Sequence, residues 1–153
     1  MIGFGSLAID RASLRFVALF ALGLACLGSV FEAAPTVFQH LYMLPVSHLS
    51  TALLQAVTVD AIIDTSHLGD GFCELAVSRI LYRITFDCTG IFAVLAFTSL
   101  TLAYPATWQH KASGLALGLP AIFAFSVLRI AVLGVVATIE PDWIEIFHVY
   151  VME

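Results

Sequence analysis

Charge is what this sequence has least of. Of its 153 residues only 11% are Asp, Glu, Lys or Arg, while 61% are hydrophobic. That proportion excludes a water-soluble single domain, whose surface needs polar residues for solvation. Basic residues are the scarcer kind: six Lys and Arg stand against eleven Asp and Glu, a formal net charge of −5. The six form no patch, which excludes nucleic acid as a partner. Cysteine is also rare. Three cannot all pair, and Cys26, Cys73 and Cys88 show neither CxxC nor Cys/His ligand spacing, so neither a disulfide framework nor a metal site is expected. No nucleotide-binding motif, internal repeat or low-complexity tract is present, and no cofactor is expected.

What the chain does have is apolar runs. Phe16–Phe31, Thr89–Tyr104 and Ala112–Thr138 reach or approach the length of about 20 helical residues that crosses a hydrocarbon core of about 30 Å. Membrane lipid is therefore the expected solvent. The first run shares features with a secretion signal, since Arg11 and Arg15 precede it and Ala33 and Ala34 follow before Pro35. It is, however, longer than the about 7 to 15 apolar residues of a signal core, and further spans come after it.

Arg11 and Arg15 place the amino terminus in the cytoplasm by the positive-inside bias, and His110 and Lys111 mark a second cytoplasmic loop. Phe31 and Cys88 then lie on the same outer side, so Val37–Val57 is not a simple crossing. At about 100° per residue, His40, Ser47, His48, Thr51 and Gln55 share one face, and Phe38, Leu41, Leu49, Ala52, Leu53 and Ala56 the other. This reads as an amphipathic helix kinked at Pro45 that lies in the outer interface or lines a polar cavity. The competing topology makes it a true span, with the amino terminus outside. From Thr58 to Asp87 five acids and the turn signal His67-Leu68-Gly69-Asp70-Gly71 announce an outer cap, and alternation around Ile80–Asp87 reads as a strand, giving a possible hairpin. The expected fold is an all-α, polytopic helical bundle of the inner (plasma) membrane with a small extracytoplasmic cap. Its approximate spans are 14–32, 88–104 and 112–139, with a partly inserted helix at 37–57, the cap at 58–87 and the start of a last helix at 141–153.

Arg129 lies inside the run Leu115–Thr138, where facing lipid would cost about 2.5 to 3.5 kcal/mol or more. It must face protein or water. Snorkelling outward or pairing with Glu140 are structural explanations; a functional site is the default for a buried membrane charge. Ser126 lies one turn earlier on the same face, and Pro120 loosens the helix below, so a polar notch is expected. Glu140-Pro141-Asp142 opens the next helix, with proline and acids in its first turn. His148 then sits about 10 Å, and Arg129 about 13 Å, below their respective outer helix ends. Cys88 stands where the cap meets a span. If Asp87 caps that helix, unpaired backbone N–H groups and the dipole favour the thiolate there, and Cys88, Arg129 and His148 on one side of the membrane compose an acyl-transfer set.

Cys88-Thr89-Gly90, then Ser126-Val127-Leu128-Arg129-Ile130, then Phe147-His148-Val149-Tyr150-Val151 resemble, in this order, the three signature blocks of the exosortase and archaeosortase family, most nearly the short exosortase H type. The resemblance covers about Phe86 to Met152. It implies a membrane-embedded, cofactor-free cysteine transpeptidase that cleaves carboxy-terminal sorting signals of exported proteins, each a short motif, a hydrophobic helix and a basic tail. Under it Cys88 attacks the substrate carbonyl to form a thioester, Arg129 holds the oxyanion, His148 moves the proton, and Thr89, Gly90 and Ser126 support them. Two features depart from the family pattern. Ser126 stands where an asparagine is usual, and the chain reaches only five residues past His148, so the last span is expected to be cut short and His148 poorly fixed. Two other classes fit the composition: a non-catalytic membrane scaffold or subunit pairing through Arg129, and a small transporter using Arg129 and the His40/His48 face for an anion.

Overall fold

The structure is a computed structural model that describes residues 10–78 and 80–139. The fold is mostly helical, as the apolar runs imply, and among the described residues two helices are long and apolar enough to cross a membrane: α1 (Arg11–Ala33) and α6 (Trp108–Ile139). Between them come α2 (Pro35–Phe38), a π-helical turn (Gln39–Met43), α3 (Leu44–Ala56), strands β1 (Ala61–Asp64), β2 (Cys73–Val77) and β3 (Ile80–Ile84), a four-residue helix α4 (Phe86–Thr89), and α5 (Ile91–Ala103).

α1, α5 and α6 form one layer. α1 and α5 run antiparallel, as their contacts show: Phe16 meets Tyr104 edge-on, and Phe31 packs on Phe92. Midway, Gly23 stands against Ser99, close enough that an added Cβ would lie 3.5 Å from the serine Cβ. Small residues at such crossings let apolar helices approach where no water-driven force joins them. Tyr104 leaves the helix with an extended backbone before Pro105, and the chain returns as α6, whose Gly118 backbone lies directly against the Phe97 ring.

α6 is longer than a membrane requires. Its 32 residues span about 48 Å at 1.5 Å each. Its buried positions, Ser126, Ile130, Ala131, Gly134 and Ala137, all fall in the last half, where α3 and the sheet cover it. α3 runs parallel to this half: Tyr42 meets Ser126, the Ser50 hydroxyl lies 3.2 Å from the Val127 carbonyl, and Leu54 fills the space beside Gly134. A Cβ at Gly134 would lie 2.7 and 2.8 Å from the Leu54 methyls, and Leu54 is fully buried. Gly134→Ala should therefore lower stability in detergent by about 1–3 kcal/mol through overpacking. Adding Leu54→Ala, which makes room for the methyl, should cost less than the two single changes summed, as a thermal or denaturant melt would show.

Before Pro45 the helix widens into the π turn, in which the Leu44 N–H reaches the Gln39 carbonyl, and Pro45 sits in the first turn of α3, where its missing N–H does little harm. The two faces are reversed relative to a water-soluble helix. Gln39, Ser47, Ser50 and Thr51 point inward and are buried, while Leu41, Leu49 and Leu53 point out. His40, His48 and Gln55 stay exposed, so the predicted polar face is divided between interior and surface. Hydroxyls turned inward, capped by carbonyls of their own helix at 2.8 Å for Ser50 and 2.9 Å for Thr51, and leucines turned outward suit an apolar surrounding.

The cap is a true sheet, which corrects the all-α expectation. β1, β2 and β3 form an antiparallel meander in that spatial order, with Ile63 opposite Leu75 and Leu75 opposite Tyr82. Cys73, Leu75 and Val77 face inward and are essentially fully buried. The His67–Gly71 turn signal is realised as a 3-10 turn closed by Gly71 at φ 92°. The strand expected through Asp87 ends at Ile84, and β3 leads at once into α4. The Phe31 and Phe86 rings lie 4.9 Å apart, so the end of α1 and the turn carrying Cys88 sit at one level.

Candidate functional site

α4 begins after Thr85, whose extended backbone (φ −101°, ψ 176°) marks the helix start, and ends at Gly90 with φ 73°. This corrects two expectations. Asp87 is not the cap; it lies in the first turn, exposed. Cys88 also does not open the membrane span, because Gly90 breaks the chain between α4 and α5. The dipole of a long helix therefore does not act on the thiol. Local groups hold it: the Cys88 N–H reaches the Thr85 carbonyl at 3.2 Å, Sγ lies 3.6 Å from the Thr85 hydroxyl, and the thiol donates to the Arg83 carbonyl at 3.9 Å.

That carbonyl is available for a reason written in the strand register. Two residues join β2 to β3, so Val77 and Ile80 form the closing pair, and such a pair exchanges ladder bonds while every second pair does not. Leu81 and Arg83 then direct their backbone groups away from β2. Among the described residues β3 pairs with β2 alone, so its other edge is open and ends at Cys88.

Gly90 seats this turn on α6. A side chain there would place its Cβ 2.8 Å from Ser126 Oγ, and the positive φ is a conformation other residues resist. Ser126 is 3% exposed and donates to the Ile122 carbonyl at 2.9 Å, so Tyr42, 3.4 Å away, is the donor of the remaining bond. Thr89 is fully buried, its hydroxyl donating to the Phe86 carbonyl at 2.8 Å. Gly90→Ala combines the left-handed conformation, worth about 1–2 kcal/mol, with the collision. Ser126→Ala should recover only the part due to the collision, which a double-mutant cycle of unfolding in detergent would separate.

Arg129 follows Ser126 by one turn of α6. Its Nε and Nη2 are buried and have no hydrogen-bond partner among the described residues. A buried donor left unmatched costs about 1–3 kcal/mol, more when charged, and the described residues leave these two atoms of the guanidinium without a partner.

The structure thus brings Cys88, Thr89 and Gly90 together with Ser126, and sets Arg129 on the same helix one turn on. His148, Glu140 and the helix expected at 141–153 lie outside the described residues. Two neighbours went unread in the sequence. Tyr42 carried no signal, whereas Thr85, three residues before Cys88, has the spacing of a helix-start threonine. The other thiols differ in kind: Cys26 is exposed on α1, and Cys73 is buried in the sheet. Burial pushes the Cys73 thiol above its usual range, with the Asp64 charge adding to this and the nearby Ser47 hydroxyl opposing it. Tyr82, pushed up to about 12 by burial, remains a neutral phenol beneath the cap, its hydroxyl 3.5 Å from the Leu133 carbonyl.

No family model matches the chain, and comparison with curated proteins and with solved structures finds no match.

Proposed function

We propose that this chain is a multi-pass protein of the inner (plasma) membrane that acts as an exosortase-like cysteine transpeptidase, cleaving carboxy-terminal sorting tails of exported proteins on the extracytoplasmic side. The observation that carries the reading is the seat of Gly90 on Ser126, because it joins the first signature block to the second by direct contact. Cys88 and the arginine helix are then parts of one site.

In this reading His148 takes the Cys88 proton as Sγ attacks the scissile carbonyl carbon. The oxyanion that forms accepts hydrogen bonds from the Arg129 Nε and Nη2 donors, which the described residues leave unmatched. Collapse breaks the carbon–nitrogen bond, the proton passes from His148 to the leaving amine, and a thioester remains on Cys88. An acceptor nucleophile resolves it and returns the thiol. The open edge of β3 suits an extended sorting motif: added as a further strand, it would lie along Leu81 and Arg83 and run toward the thiol. The test is cleavage, in cells, of a reporter bearing a motif, a hydrophobic helix and a basic tail. Release that needs both the motif and this chain supports the reading; tails that stay intact beside a folded, membrane-inserted chain remove it.

A second reading rests on one observation. Cys88 is 7% exposed and packed in the core cluster, so a scaffold whose Arg129 pairs with a partner's carboxylate is the alternative. It predicts a thiol that resists alkylation and a tail that is never cut.

A further inference from the structure

The end of the molecule opposite the cap has a site of its own. Where α5 turns into α6, a cavity of about 300 Å³ is lined by Leu100, Thr101, Tyr104, Ala106, His110 and Lys111. Its walls are chiefly apolar, but its rim is cationic. The Lys111 ammonium donates to the Leu102 carbonyl at 2.5 Å and lies 5.4 Å from the centre of the Trp108 ring. Of its three N–H donors this uses one. Thr107 Oγ1 is 2.6 Å from His110 Nδ1; with the hydroxyl donating, Nε2 carries the ring proton. Both are held in place by short local bonds.

The charge around the cavity is opposite in sign to that of the whole chain. Phe16 packs edge-on against Tyr104, which brings the start of α1, with Arg11 and Arg15, to the same end. Asp10 is the one acid there among the described residues. Glu32, Asp60, Asp64, Asp70, Glu74 and Asp87 all lie toward the cap, although the chain as a whole carries −5. Trp108 and Tyr104, 74% and 60% exposed, have the amphipathic character of side chains that settle at headgroup level.

We infer that this cavity binds one anionic glycerophospholipid, its phosphate between Lys111 and His110 and its glycerol and first acyl carbons in the apolar cleft beside Leu100. A basic pocket between helices, apolar within and flanked by aromatic rings, matches a molecule charged at one end and apolar at the other. A free phosphate ion matches the rim but leaves the cleft unfilled. The proposal does not depend on the activity proposed for Cys88.

The experiment is native mass spectrometry and thermal melting of the full chain in neutral detergent, with phosphatidylglycerol, with phosphatidylcholine of the same acyl chains, or with inorganic phosphate. Phosphatidylglycerol is expected to be retained and to raise the melting temperature, while phosphatidylcholine and phosphate do neither. Lys111→Gln should weaken retention about fivefold, and salt should weaken it further. Equal retention of the two lipids, stabilisation by phosphate alone, or Lys111→Gln binding as the wild type would each overturn the site. If Lys111→Gln fails to fold, the comparison of lipids on the wild-type chain decides alone.

Discussion

Cys88→Ala is expected to abolish cleavage of a tail-bearing reporter, by three orders of magnitude or more, while the chain still inserts and folds. The loss is large because removing the nucleophile of a covalent pathway leaves only binding and oxyanion contacts, a residual about 10³–10⁴ above water. The fold should tolerate the change. The sulfur's hydrogen bonds among the described residues are long, 3.6 Å to Thr85 and 3.9 Å to Arg83, and alanine keeps the helical turn. Cys88→Ser should also fail, since a hydroxyl is a far weaker nucleophile without further activation. The other two cysteines are internal controls. Cys26→Ala alters an exposed position on α1, and Cys73→Ala removes a thiol that burial holds protonated; both should leave cleavage intact, with Cys73→Ala lowering stability modestly. Cleavage that survives Cys88→Ala but not Cys73→Ala would move the nucleophile into the sheet.

Arg129 gives the second large effect, and a distinctive one because activity and stability should move apart. Losing a preorganised oxyanion donor costs about 10²–10³ in rate, so Arg129→Gln and Arg129→Met should both fall at least that far. Arg129→Lys should rescue little, because a single ammonium does not reproduce two donors from one planar group. Stability should go the other way. Nε and Nη2 are buried without partners among the described residues, and replacing an unmatched buried charge with an apolar side chain of similar size is commonly neutral or stabilising. Arg129→Met is therefore expected to melt no lower than wild type in detergent. A melting temperature well below it would mark Arg129 as one half of a structural ion pair, with Glu140 the first residue to change in turn.

Much of the frame was legible because helices long and apolar enough to cross a membrane announce themselves through length and composition. The runs containing α1 and α6 needed no tertiary information. Topology was harder, and the reasons are local. The strands β1 and β2 escaped notice because their alternation is blurred: Ile62 in β1 is apolar yet 65% exposed, and Ala76 in β2 is apolar yet only half-buried, so the pattern of one buried and one polar face does not hold. The helix expected at 37–57 was read with two faces, in the outer interface or lining a polar cavity, but the split within its polar face was not legible: Ser47 and Thr51 turn inward with Ser50, while His40, His48 and Gln55 stay exposed. Gly90 was read as one letter of a motif. Its need for φ 73° and its approach to Ser126 arise only once α4 meets α6, a contact across thirty-six positions of sequence that no local pattern encodes. The same contact leaves little room for a larger side chain at Ser126: its Oγ already fills the space beside Gly90.

The most direct measurement is capture of the acyl enzyme. The full chain in detergent would be mixed with a tail peptide, quenched in acid, digested and examined by mass spectrometry. The expected result is a Cys88-containing peptide heavier by the acyl part of the sorting motif, sensitive to hydroxylamine as a thioester is, and absent from Cys88→Ala. Cleavage of the tail with Cys88 unmodified at every time point, and undiminished in Cys88→Ala, would contradict a cysteine transpeptidase.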